Sequence, residues 1–194
     1  MRPIVPCFLL LAAAALAGAA CSDPNQLSPA TDANAVDTVT LYALRGTPLD
    51  SASAFSIPAN QTVRTTITSA FDFAYDVESG AAGVQHVFLP LAALGLSAGS
   101  TNPGLIATEQ AFDQITEPAG SGYTTDSAVV IAPGERYIAR SRVTCSTVAG
   151  TVPAYAKLEI LSVSDAPGFA SVTFRVLANT NCGYRSLAPG IPKE

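Results

Sequence analysis

The stretch FDFAYDV at residues 71–77 alternates without a break. Phe71, Phe73, Tyr75 and Val77 fall on one side, Asp72, Ala74 and Asp76 on the other. Successive side chains of a strand point to opposite faces, so a period of two marks a half-buried strand and breaks the stripe that a helix needs. The same character returns in DTVTLYALRG (37–46) and QTVRTTITSA (61–70), both rich in β-branched residues. In ASVTFRVLAN (170–179), Val172, Phe174 and Val176 point one way, Thr173 and Arg175 the other.

Turn signals separate these runs. ESGAAG (78–83) follows the first, and DAPGF (165–169) lies between AYAKLEILSVS (154–164) and the last strand. DSAVVIAPGERYIARSRVTC (126–145) holds two apolar runs around Pro133-Gly134, the pattern of a hairpin. VQHVFLPLAAL (84–94) reads as a buried strand, or as a strand that passes into a loop at Pro90. LIATEQAFDQI (105–115) fits a strand or a helix, and its neighbours favour strand. Short strands between turns, with no βαβ rhythm, predict a mainly β chain. The fold class is a single antiparallel β-sandwich, Ig-like or similar, with a barrel as the alternative.

The first twenty residues differ in kind. Arg2 is a positive start, Phe8 to Ala17 is an apolar run, and Gly18, Ala19 and Ala20 are the small residues that precede a cleavage site. The apolar run is shorter than the roughly 20 residues of a membrane span. Gly18-Ala19-Ala20-Cys21 resembles the lipobox of bacterial lipoproteins, with Gly18 where that family usually has Leu. The resemblance covers residues 1–22. It implies cleavage before Cys21, lipidation of the Cys21 sulfur and a membrane-anchored envelope location. Ser22 leans toward the outer membrane in a Gram-negative cell. The expected organisation is a signal peptide (1–20), a lipidated Cys21 with a flexible tether (21–36) and one domain (37–194). The β domain is similar to uncharacterised envelope lipoproteins of no named functional family.

Cysteine parity agrees with that organisation. Of four cysteines, Cys7 leaves with the signal. If Cys21 carries a lipid, Cys145 and Cys182 remain as one pair in an oxidising compartment. Three consecutive antiparallel strands over 136–145, 154–163 and 170–178 would bring Cys145 and Cys182 to the same end of a sheet. The expected disulfide is structural.

Candidate chemistry is sparse. The mature chain sets nine basic residues against fifteen acidic ones, so it lacks the basic footprint of a nucleic-acid binder. His86 is the single histidine and reads as a packing residue beside Val84 and Phe88. Asp72 and Asp76 share a strand face about 13 Å apart, too far for one proton or one metal ion, and read as solvated surface. DANAVD (32–37) lacks the Gly and distal Glu of a calcium loop. Arg136, Arg140 and Arg142 fall on one strand face, either a solvated stripe or a pocket for carboxylate or phosphate. Tyr184 and Arg185 sit in NCGYRSLAPGIP (181–192), a turn or a ligand lip. Tyr123, Tyr137 and Tyr184 could serve as an aromatic platform. No catalytic residue, metal site or cofactor is expected.

The resulting expectation is a non-enzymatic envelope lipoprotein. It would be held to a membrane through its lipid and act as a structural or interaction module for an envelope protein or glycan. The alternative is a β-sandwich that binds a small ligand or glycan. A hydrolase comes third. The sequence leaves the oligomeric state open.

Overall fold

The computed structural model describes residues 27–80, 83–99, 101–147 and 150–193. Cys21 and the residues before it lie outside them. Among the described residues ten strands run in chain order: β1 Val36–Tyr42, β2 Ala54–Ser56, β3 Gln61–Val63, β4 Phe73–Gly80, β5 Gly83–Pro90, β6 Gly104–Thr108, β7 Val129–Val130, β8 Arg136–Thr147, β9 Gly150–Ser164 and β10 Ser171–Asn179. Two short 3-10 turns, Leu91–Leu94 and Phe112–Gln114, are the helical elements among the described residues. The strands form two five-stranded antiparallel sheets, ordered β1-β10-β9-β8-β6 and β3-β2-β4-β5-β7. They do not close on one another, so the architecture is a sandwich and not a barrel.

The alternation read in the sequence builds the interface between the sheets. Val172, Phe174 and Val176 of β10 are fully buried, as are Phe73 and Tyr75 of β4 and Phe88 of β5. Phe174 from the first sheet meets Phe55, Phe73 and Phe88 of the second, with ring centroids 5.9, 6.2 and 5.6 Å apart. Such tilted and edge-on contacts stabilise by about 0.5–1.5 kcal/mol each beyond the area they bury. Val77 packs against the same core, whereas Phe71, before the strand begins, belongs to a separate cluster with Val63 and Leu91. The ambiguous 105–115 segment divides: its first part is strand β6, and Phe112–Gln114 is a single 3-10 turn.

Two local expectations fail. The runs around Pro133-Gly134 do not pair with each other. Val129 and Val130 pair with β5 in the second sheet, while β8 pairs with β6 and β9 in the first. The turn carries the chain from one sheet to the other, held by Gly134 N–H donating to Ile160 O and Tyr137 Oη donating to Val130 O. A hairpin and a corner between sheets present the same local pattern of apolar run, turn and apolar run.

Asp72 and Asp76 are not surface residues; they are 1% and 3% exposed. Each clasps the second sheet to an element of the first. Asp72 accepts from Arg142 N (2.8 Å), Arg142 Nη1 (3.0 Å) and Ile57 N (2.7 Å). Asp76 accepts from Arg45 Nε (2.6 Å) and Arg45 N (3.2 Å), just beyond β1. Burial pushes the Asp72 carboxyl above its ordinary range, while the Arg142 charge and hydrogen bonds pull against the shift.

Candidate functional site

The face of the first sheet that turns away from the sandwich interior carries the charges. Along β8 the core takes Tyr137 and Ala139, so Arg136, Ile138 and Arg140 point outward. Arg140 pairs across the ladder with Gly104 of β6 on one side and Tyr155 of β9 on the other. The backbone of Leu105 bridges Thr124 through two hydrogen bonds and so lays residues 123–125 over β6. Gly104 is required there, because a Cβ would meet Thr124 O at 2.7 Å and Tyr123 Cβ at 3.0 Å. Tyr123 thereby lies against Arg140, whose guanidinium carbon is 4.8 Å from the ring centroid.

On the far side of Arg140 stands Tyr155, and beyond it Arg185, 4.8 Å from the Tyr155 ring centroid. Arg185 Nη1 donates to Tyr155 Oη at 2.9 Å. The order across the face is therefore Tyr123, Arg140, Tyr155, Arg185, aromatic and cationic in alternation. Arg140 Nη2 donates to Asn102 O (3.1 Å), and Tyr123 Oη donates to Ala119 O (2.9 Å). Burial pushes the Tyr123 phenol up to about 12, with Tyr155 raising it and the two arginines pulling it back, so it stays neutral.

The neighbouring arginines are compensated. Arg175 donates to Glu159 at 2.5 Å, and Arg136 lies 4.0 Å from the same carboxylate. Lys157 Nζ donates to Ile115 O (2.9 Å) and sits over the Phe112 ring, with its pKa lowered first by burial. Arg140 and Arg185 differ. Among the described residues neither has a carboxylate within 4.0 Å, which holds for the buried Lys157 as well, and the buried Nε atoms of Arg136 and Arg140 both lack a hydrogen-bond acceptor.

The sequence-derived candidates scatter. A bulge in β8 between Arg140 and Val143 turns Arg142 out of the Arg136–Arg140 row and toward Asp72 of the second sheet. Ser141 satisfies the backbone there by accepting from Ala154 N at 2.8 Å. Tyr184 is buried and donates to Ser28 O (3.2 Å), and Tyr137 is interior; neither is an exposed platform. Of the residues singled out, Tyr123, Arg140 and Arg185 come together. Tyr155 and Gly104 were missed, and only the β8–β9 and β6–β8 registers could have revealed them.

His86 bridges Tyr75 and Asp165: Nδ1 is 2.7 Å from Tyr75 Oη, and Nε2 is 3.3 Å from Asp165 Oδ1. A carboxylate at Nε2 calls for a proton on that nitrogen, leaving Nδ1 to accept from the tyrosine hydroxyl. The chain resembles a relay but ends on a fully buried phenol. Burial, with Asp165 and Asp76 nearby, pushes that phenol above its ordinary range. Among the described residues no group of three or more His, Cys, Asp or Glu is placed to hold a metal ion.

The opposite pole of the sandwich holds the cysteines. Cys145 near the end of β8 and Cys182 after β10 form a disulfide with Cα atoms 5.9 Å apart. The chain ahead of β1 is fastened beside it. Asn181 Oδ1 accepts from Thr31 N and Asp32 N, both at 3.1 Å. Asn34 and Gly190 exchange two backbone hydrogen bonds of 2.9 Å. Leu27 packs so close to Gly183, which has φ +88°, that a Cβ there would meet it at 2.6 Å. Residues 27–34, expected as tether, are thus hydrogen-bonded and packed against the domain. No protein-family model matches the chain, and no curated protein matches it in sequence.

Proposed function

We propose that the protein is an exported, non-enzymatic interaction module, anchored to an envelope membrane by a lipid on Cys21. The observation that carries this reading is the fastening of residues 27–34 to the disulfide pole. Only residues 22–26 separate Cys21 from that fastened segment. An anchor at Cys21 would tie down one pole and leave the sheet faces and the far pole open to a partner. The non-enzymatic part draws support from the buried end of the Tyr75–His86–Asp165 chain, where no activated nucleophile can meet a substrate. Intact mass spectrometry of membrane-extracted protein tests the anchor, with a diacylated chain starting at Cys21 expected. Cys21→Ser should move the protein to the soluble fraction at unchanged melting temperature. A membrane-bound Cys21→Ser variant would refute the reading.

A second reading, a β-sandwich that binds a small ligand or glycan, is favoured by one observation. Arg140 and Arg185 are held in place with no carboxylate partner among the described residues.

A further inference from the structure

We propose that the Tyr123–Arg140–Tyr155–Arg185 row is an oxyanion-binding site, taking a ligand carboxylate or phosphate between the guanidiniums of Arg140 and Arg185. The inference rests on the ligand-binding reading and names its chemistry. Both guanidiniums are oriented before any ligand arrives: each lies over a tyrosine ring, Arg140 is tied to Asn102 O, and Arg185 to Tyr155 Oη. Fixing a long side chain in advance removes part of the ordering cost of binding. The contacts that fix them are to rings, the carbonyls of Asn102 and Pro118 and a phenol, and none of these cancels a full positive charge.

The contrast within one face is the central point. Glu159 answers Arg136 and Arg175 on that face, and Asp72 answers Arg142, which the bulge turns toward the second sheet. The whole chain carries a net charge of −5, yet among the described residues Arg140 and Arg185, like the buried Lys157 beside them, have no carboxylate within 4.0 Å. Tyr155 stands between them as ladder partner of one and ring partner of the other, so the two charges flank a single side chain. Guanidinium forks pair with carboxylate and phosphate oxygens through strong, charge-assisted hydrogen bonds. Arg185 is exposed, Arg140 and Tyr123 are half-buried and Tyr155 is buried, so the row opens to solvent from its Arg185 end. That geometry suits an anionic group carried on a larger ligand better than an enclosed small molecule.

The test is isothermal titration calorimetry on the full chain in a non-ionic detergent at low ionic strength. The probes are a galacturonate trimer, inorganic phosphate and, as the neutral arm, maltotriose. Saturable binding of an oxyanion is expected, weakened by added salt and by about tenfold or more in Arg185→Ala. Arg175→Ala removes a compensated guanidinium from the same face and should bind like the parent. Galacturonate binding without phosphate binding assigns a carboxylated saccharide, and phosphate binding assigns a phosphate-bearing ligand. No binding of either oxyanion overturns the site, as does equal weakening by Arg185→Ala and Arg175→Ala. Maltotriose binding with no oxyanion response also overturns it, while leaving the broader ligand reading standing.

Discussion

Asp72 has no exposed side-chain surface and takes hydrogen bonds from two elements that belong to different sheets. Its removal leaves the Arg142 guanidinium, itself only 19% exposed, without its carboxylate. Breaking such a buried pair from one side typically costs about 3–5 kcal/mol, because the remaining charge stays desolvated. Asp72→Ala should therefore lower unfolding free energy by about that amount in chemical denaturation. Asp37→Ala, an exposed carboxylate on β1, should change it by less than about 0.5 kcal/mol. The alternation of 71–77 showed which face of β4 was apolar. It could not show that the polar face would also be covered. Covering depends on Arg142 and Arg45 arriving from β8 and from beyond β1, and one of those arrivals requires a bulge that no local pattern announces.

Among the elements, β8, β9 and β10 form the meander that the sequence predicts, and it delivers Cys145 and Cys182 to one pole. For a loop of about 38 residues the chain-entropy model assigns the cross-link about 3.9 kcal/mol. Cys182→Ala should cost roughly 2–5 kcal/mol in thermal or denaturant unfolding and leave Cys145 open to thiol reagents. Free labelling of both thiols in the unreduced native protein would contradict the bond. This part of the fold was legible because strand direction alone decides which ends meet. The Arg–Tyr row was legible only in pieces. Arg140 and Arg185 stood out by charge, and Tyr123 by its ring. Tyr155 joins them through register, which the irregularities of β8 between Arg140 and Cys145 shift and composition does not announce. The Pro133-Gly134 turn misled for the converse reason: its local chemistry is right for a turn, but pairing partners are chosen by the whole sandwich.

At the scale of the whole molecule, three of the six tyrosines constrain stability in alkali. Burial raises the phenols of Tyr75, Tyr123 and Tyr137 above the ordinary value of 10.0. The unfolded chain releases those protons near pH 10 and the folded chain holds them longer. Their contribution is full below that pH and is lost as pH rises toward the folded values. Lys157 works in the opposite sense: its folded pKa is lowered, so its contribution grows as pH climbs toward 10.5. Three groups outweigh one, so the melting temperature should fall steeply above about pH 10. The tyrosinate absorbance of these three should appear with unfolding and not before it. A smooth titration of all six phenols in the folded protein would contradict the raised values.

The fastening of residues 27–34 also decides where a pull would be felt. Tension arriving from the N-terminal side meets the Ser28–Tyr184, Thr31–Asn181 and Asn34–Gly190 bonds before it reaches β1. The segment that receives it, 181–190, is covalently tied through Cys182 to β8, an interior strand of the first sheet. Load therefore bypasses the edge strand, whose ladder would peel one bond at a time, and passes into the middle of a five-stranded sheet. With the disulfide reduced, the same pull would enter the sheet only through the main chain into β10.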